Sequence, residues 1–137
     1  MSDDYASASK RHLDDTERLF GLGRWDNAAY LAGYVAECGA KAVIGIAGYR
    51  VQIHLDRLSR DVLALAADVS LAARRYRIDL DGGLAFLRRR WSPHLRYTQT
   101  GSTNETDAEA IVEAATSVFA QTIGALVLDG LLERMPT

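Results

Sequence analysis

Apolar positions along this chain recur at helical spacing, and no stretch alternates with period two for long enough to make a strand. Ala6, Leu13 and Phe20 return every seven residues with Leu19 beside them, which predicts a first helix over about residues 4–22 closed by Gly21 and Gly23. Trp25 and Asp26 open a second helix, Asp26 placed to cap or favour its N-terminus, and this helix fades near residues 45–48. The third pattern is the most regular: Leu55, Leu58, Val62, Leu65, Val69, Ala72 and Tyr76 step by three and four, with Asp56, Arg57, Arg60, Asp61 and Asp68 between them. A turn at residues 79–83 leads to a short helical segment, 84–90, and residues 92–106 read as irregular around Pro93 and Gly101. The last helix starts at a capping box, Thr106-x-x-Glu109, and runs to about Met135 with Ile111, Ala115, Val118, Thr122 and Ala125 or Leu126 as its core stripe. These elements predict one domain, residues 1–137, of the all-α class: an up-and-down bundle of four long helices plus a short fifth segment.

The second helix is the unusual one. It is nearly all apolar and rich in Ala and Gly, as a central helix packed on several sides would be, yet Tyr30, Tyr34, Glu37 and Lys41 form one polar stripe along it. Buried ionised groups are costly unless paired, so this stripe is either a structural network or the floor of a site. In the last helix, Val127, Leu128, Leu131, Leu132 and Met135 widen the apolar surface. Either a second copy of the chain or the first helix would cover it.

The totals narrow the setting. At 137 residues the chain can bury a core without metals or disulfides, and its 48% hydrophobic and 25% charged residues are those of an ordinary globular protein. Cys38 is alone and fits a reducing compartment; Ser2, Asp3 and Asp4 are the reverse of a secretion leader; Glu37, Lys41 and Gln121 interrupt the apolar runs. The expectation is a cytoplasmic protein with no membrane partner. Net charge is −2 but unevenly spread: seven arginines lie between Arg74 and Arg96, and from Asn104 onward six acids face Arg134 alone. Of the 16 basic residues 14 are arginine, the type suited to bidentate phosphate contacts, and such a patch either holds nucleic acid or solvates a helix face.

Candidate chemistry is sparse. No phosphate loop, nucleophile elbow or zinc-type Cys/His spacing occurs, Asp79-x-Asp81-Gly82 lacks the rest of a calcium loop, and no metal or cofactor is expected. Cys38 reads as a buried, inert thiol, His12 as a surface residue, and His54 as a residue packing at the start of the third helix. His94, shortly after Arg88, Arg89 and Arg90, has the chemistry of a general base or acid for a ribose hydroxyl, with an arginine to stabilise the charge that develops on phosphorus.

The run from Arg11 through Gly21-Leu-Gly-Arg-Trp-Asp26 to Ala42 resembles the first helical hairpin of HEPN domains. His54-Leu-Asp-Arg-Leu58 and Trp91-Ser-Pro-His-Leu-Arg-Tyr97 are similar to bacterial relatives, so the resemblance spans essentially the whole chain. It implies an up-and-down bundle, commonly a homodimer, often in defence, stress or toxin–antitoxin settings with an antitoxin partner protein. It also implies two functions. One is a module binding a nucleotide, an RNA or a protein at Tyr30, Tyr34, Glu37, Lys41, Trp91, Arg96 and Tyr97. There the rings would stack a base while Arg96 and Lys41 hold phosphate, unless Glu37 pairs with Arg96 or Lys41 and merely braces the 91–97 loop. The other is a metal-independent endoribonuclease whose Arg-x4–6-His motif matches Arg88 or Arg89 with His94. A purely structural assembly module is the third alternative.

Overall fold

The structure, a computed structural model, describes residues 4–46, 82–128 and 130. The third helical pattern, His54, the arginines at 74–77, the 79–81 turn and the chain end at 131–137 lie outside the described residues. The fold is all-α, and no strand occurs among the described residues. In order they form α1 (Tyr5–Gly21), α2 (Trp25–Ile46), the short α3 (Gly83–Arg90), a 3₁₀ turn (Pro93–Tyr97) and α4, which is α-helical over Glu105–Phe119, π-helical over Ala120–Gly124 and α-helical again over Ala125–Leu128.

The ends of these helices follow from local chemistry. Asp4 caps α1, its carboxylate accepting the Ser7 N–H at 3.0 Å. At the other end Gly23 takes φ +76, its N–H reaching the Phe20 carbonyl while the Arg24 N–H reaches that of Leu19. This left-handed closure satisfies the last carbonyls of α1 and suits glycine. It leaves three residues before Trp25, so α2 folds back antiparallel to α1. Phe20 meets Trp25, His12 meets Tyr34, and the Ser9 hydroxyl donates to the Val35 carbonyl at 2.8 Å. One expectation is corrected at α4. Its cap is Asn104, whose side chain accepts the Asp107 N–H at 2.8 Å, so Thr106 lies inside the first turn. Asparagine caps as well as threonine does, and starting two residues earlier brings Ala108 into the core.

α2 is the central element. Ala28, Ala29, Ala32, Val35, Ala36 and Ala40 have no exposed surface, which only a helix covered on several sides can achieve. α1 lies on one flank, and α4 on another, running parallel to α2. Asp26 reaches Thr103 near their starts, and Gly39 faces Thr122 further along. The close approach needs glycine at position 39, because a Cβ there would lie 2.4 Å from the Thr122 Oγ1. Thr122 in turn bonds back to the Val118 carbonyl at 2.8 Å, within the π-helical stretch that interrupts α4. The stripe Ile111, Ala115, Val118, Thr122 and Leu126 is buried as its spacing predicts. By length and composition alone the 24-residue helix Glu105–Leu128 is apolar enough to cross a membrane, as core helices of bundles also are. α3 packs on α4, where Gly83 meets the backbone of Ala114, and Trp91 then carries the chain back to α2.

Trp91 is 2% exposed and sits flat against Gly33, where an added Cβ would fall 2.0 Å from the indole ring. Gly33→Ala is therefore expected to cost about 3 kcal/mol or more in chemical denaturation, since the indole is hydrogen-bonded in place and cannot step aside. Adding Trp91→Leu to that variant should recover part of the loss. Strictly additive effects would mean that the two residues are not in contact.

Candidate functional site

The polar stripe of α2 divides into two halves. The aromatic half lies under the 91–97 turn. Trp91, the C-cap of α3, donates its indole N–H to the Tyr30 carbonyl at 2.8 Å, stacks on the Tyr30 ring (centroids 6.5 Å apart, planes at 23°) and meets Tyr34 edge-on at 4.9 Å. The Tyr30 hydroxyl donates to that of Tyr34 at 3.3 Å. Burial holds the Tyr34 phenol well above its ordinary value and so protonated at all physiological pH.

The 3₁₀ turn follows directly. Ser92 caps it by accepting the His94 N–H at 3.3 Å, and Pro93 occupies its first position, where a missing N–H costs nothing. Leu95 packs against the core, while His94, Arg96 and Tyr97 are exposed. Arg96 lies over the ring of Tyr97 at 4.7 Å, bonds the Tyr97 hydroxyl and reaches the Tyr30 hydroxyl, partners that keep it charged. Tyr97 is 72% exposed. The turn thus offers a fixed guanidinium on an open aromatic ring, resting on a buried aromatic cluster.

The ionic half is different. Glu37 and Lys41 are 4% and 9% exposed and lie 3.6 Å apart, one helical turn from each other, with Lys41 also over the Tyr5 ring of α1 at 5.5 Å. Their charges are matched inside the bundle, and this is the arrangement of a brace. Cys38 beside them is buried, and desolvation pushes its thiol up to about 11, so it is inert as expected.

His12 corrects the sequence reading. It is half-buried rather than on the surface, its ring 5.8 Å from that of Tyr34. Burial first, and then Arg11, lowers its pKa from the usual 6.5, outweighing the opposite pull of Asp15 and Glu37. The signal was present: Ser9, Leu13 and Thr16 are buried, and His12 lies beside that stripe on the helical wheel. Asp26 sits in the first turn of α2, where an acid favours the helix N-terminus as its position predicts, and it has a further role that the sequence does not show. Its carboxylate accepts the Gly101 N–H at 2.7 Å and the Thr103 N–H at 2.9 Å, tying the loop before α4 to the start of α2 and holding its own pKa low.

The proposed nuclease residues occupy the end of α3 and the turn. Arg88, Arg89 and Arg90 form the last turn of α3, where positive charge suits the helix dipole. Arg89 and Arg90 are exposed, Arg90 lying 5.6 Å over Phe86, while the buried Nε of Arg88 has no hydrogen-bond partner among the described residues. His94 is exposed on the turn four positions beyond Arg90. No cluster of metal-ligating side chains is found among the described residues. Among the described residues the structure thus defines an all-α bundle that carries an exposed arginine- and tyrosine-bearing turn. No family model matches the chain, and neither a curated protein nor a solved structure matches it.

Two outcomes test the site's electrostatics. Glu37→Ala, which leaves Lys41 buried and unpaired, is expected to lower stability by about 3–5 kcal/mol in urea, whereas replacing both by apolar residues should cost far less. His12 binds its proton less readily folded than unfolded, so stability should fall as pH drops through 6.5. His12→Gln should flatten that part of the pH–stability curve, and an unchanged slope would show that His12 is solvated.

Proposed function

We propose that the chain is a HEPN-like helical module, acting in the cytoplasm as a homodimer, that binds single-stranded RNA on the face made by the end of α3 and the 93–97 turn. The observation that carries this reading is the Arg96–Tyr97 pair, a guanidinium fixed over an exposed ring and anchored to Tyr30. Such a pair offers a base a stacking surface and a phosphate its counter-charge. The surroundings support it, because no acidic residue occurs between positions 82 and 104, a stretch carrying Arg88, Arg89, Arg90, His94 and Arg96. Arginine is more weakly hydrated than an ammonium and so gives up water to a phosphate at lower cost, and its planar fork fits two oxygens at once.

The test is fluorescence anisotropy with a labelled single-stranded RNA at two salt concentrations. Tyr97→Ala and Arg89→Ala are each expected to weaken binding about tenfold, the equivalent of about 1.4 kcal/mol, and Arg89→Ala should also reduce the salt dependence. Wild-type affinity in both variants would sink the proposal. Incubating the same RNA with wild type and His94→Ala in EDTA separates binding from cleavage. Cutting lost only in the variant would make this face the nuclease site of Arg88 or Arg89 with His94.

A further inference from the structure

We propose that Asp26 is a positioning residue for the RNA face, an acid that promotes the binding of an anion by clamping the loop behind Tyr97. This rests on the RNA-binding reading and extends it to a residue outside α3 and the turn. Trp91 secures the front of the turn. Tyr97 stands at its rear, 72% exposed and without a hydrogen bond to any α-helix among the described residues. From that end a relay of hydrogen bonds leads to α2. The Thr98 N–H and hydroxyl both donate to the Leu95 carbonyl, at 3.2 and 2.7 Å. The Ser102 N–H and hydroxyl both donate to the Gln99 carbonyl, the N–H at 3.1 Å. Gly101 takes φ +91, a left-handed conformation that suits glycine, and its N–H reaches one oxygen of Asp26 while the Thr103 N–H reaches the other. Among the described residues, every hydrogen bond from residues 98–103 to an α-helix ends on Asp26.

The two small turns leave few free torsions between Leu95, which packs on the core, and Asp26, which α2 holds. The rear of the turn is therefore fixed only while one side chain accepts both N–H groups. A carboxylate has two oxygens for that task and a side-chain amide has one. Charge alone argues the other way. Asp26 lines one cleft with Leu95, Arg96 and Thr98, close enough to weaken the positive field that draws a phosphate. On that ground its removal would strengthen RNA binding. Positioning predicts the opposite sign, because a loop released from α2 leaves Tyr97 to be ordered by the RNA, and association then bears that ordering cost.

The experiment compares the full chain with its Asp26→Asn and Glu105→Gln variants, using the same labelled RNA at two salt concentrations. Glu105 is an exposed acid just beyond the loop, without an ion pair among the described residues, so its variant makes the same charge change and leaves the clamp alone. Asp26→Asn is expected to weaken binding about tenfold with its salt dependence unchanged, since no phosphate contact is lost. Glu105→Gln should bind at least as tightly as wild type. The double variant Asp26→Asn/Tyr97→Ala should lose no more than Tyr97→Ala alone, because Asp26 acts through that ring. Without RNA, NMR relaxation should show the Tyr97 backbone order parameter falling from about 0.85 to below about 0.6 in Asp26→Asn, with the amides of α1 unchanged. The proposal is overturned if Asp26→Asn binds as tightly as wild type or more so, if the two losses add, or if Tyr97 stays rigid in that variant. Absence of RNA binding by wild type would sink the RNA reading instead, and the order parameter, read without RNA, would still decide whether Asp26 fixes the turn.

Discussion

The contact on which the rest depends is the indole of Trp91 lying on the bare backbone of Gly33. It joins chain segments about sixty residues apart, and it does so with three constraints at once. The ring plane is set by Tyr30 and Tyr34, its N–H by the Tyr30 carbonyl, and its backbone by the Leu87 carbonyl that ends α3. An aromatic side chain fixed in this way has little freedom left to lose on binding anything. Ser92, Pro93 and the 3₁₀ turn therefore leave the bundle at one angle, and His94, Arg96 and Tyr97 inherit their positions from a core contact rather than from the loop itself.

Charge is treated in two opposite ways along α2. Glu37 and Lys41 are buried against each other, an arrangement that contributes little net stability but makes the loss of either partner severe. Asp26 stays near solvent and turns its charge on backbone N–H groups of the loop, which fixes geometry at small desolvation cost. Arg89 and Arg90 of α3 and Arg96 of the turn are left in water, where their long-range field survives. A chain of net charge −2 can thus present a local cationic stretch because no acid occurs between positions 82 and 104.

The helices at both ends of the chain were legible because amphipathic periodicity and end signals agree. Ala6 and Leu13, the Gly23 closure and the stripe from Ile111 to Leu126 all fall where their spacing places them. The burial of Cys38 and the shared stripe of Tyr30 and Tyr34 were legible for the same reason, since a helix presents every third or fourth residue to one neighbour, whereas periodicity could not place Trp91 beside them. What escaped depends on distance across the fold. The bond from Asp26 to residues 75 and 77 positions later has no local signature, and an acid in a first turn reads equally well as a dipole partner. The cap at Asn104 was hidden by a competing Thr-x-x-Glu match two residues on. The π-helical stretch at Ala120–Gly124 leaves the apolar stripe intact, so periodicity does not reveal it.

Each of these long-range features lies where two elements approach more closely than ordinary side chains allow. Gly33 admits Trp91, Gly39 admits Thr122, and Asp26 draws the Gly101 backbone onto α2. Small residues on the central helix thus do more than fill space. They let the neighbours approach until directional bonds form, and those bonds fix where the polar groups of the turn and the loop must stand. A rigid frame of this kind favours recognition over chemistry that needs movement. The proposed RNA face draws on it through Trp91, and Arg96 is held in that face by Tyr30 beneath it.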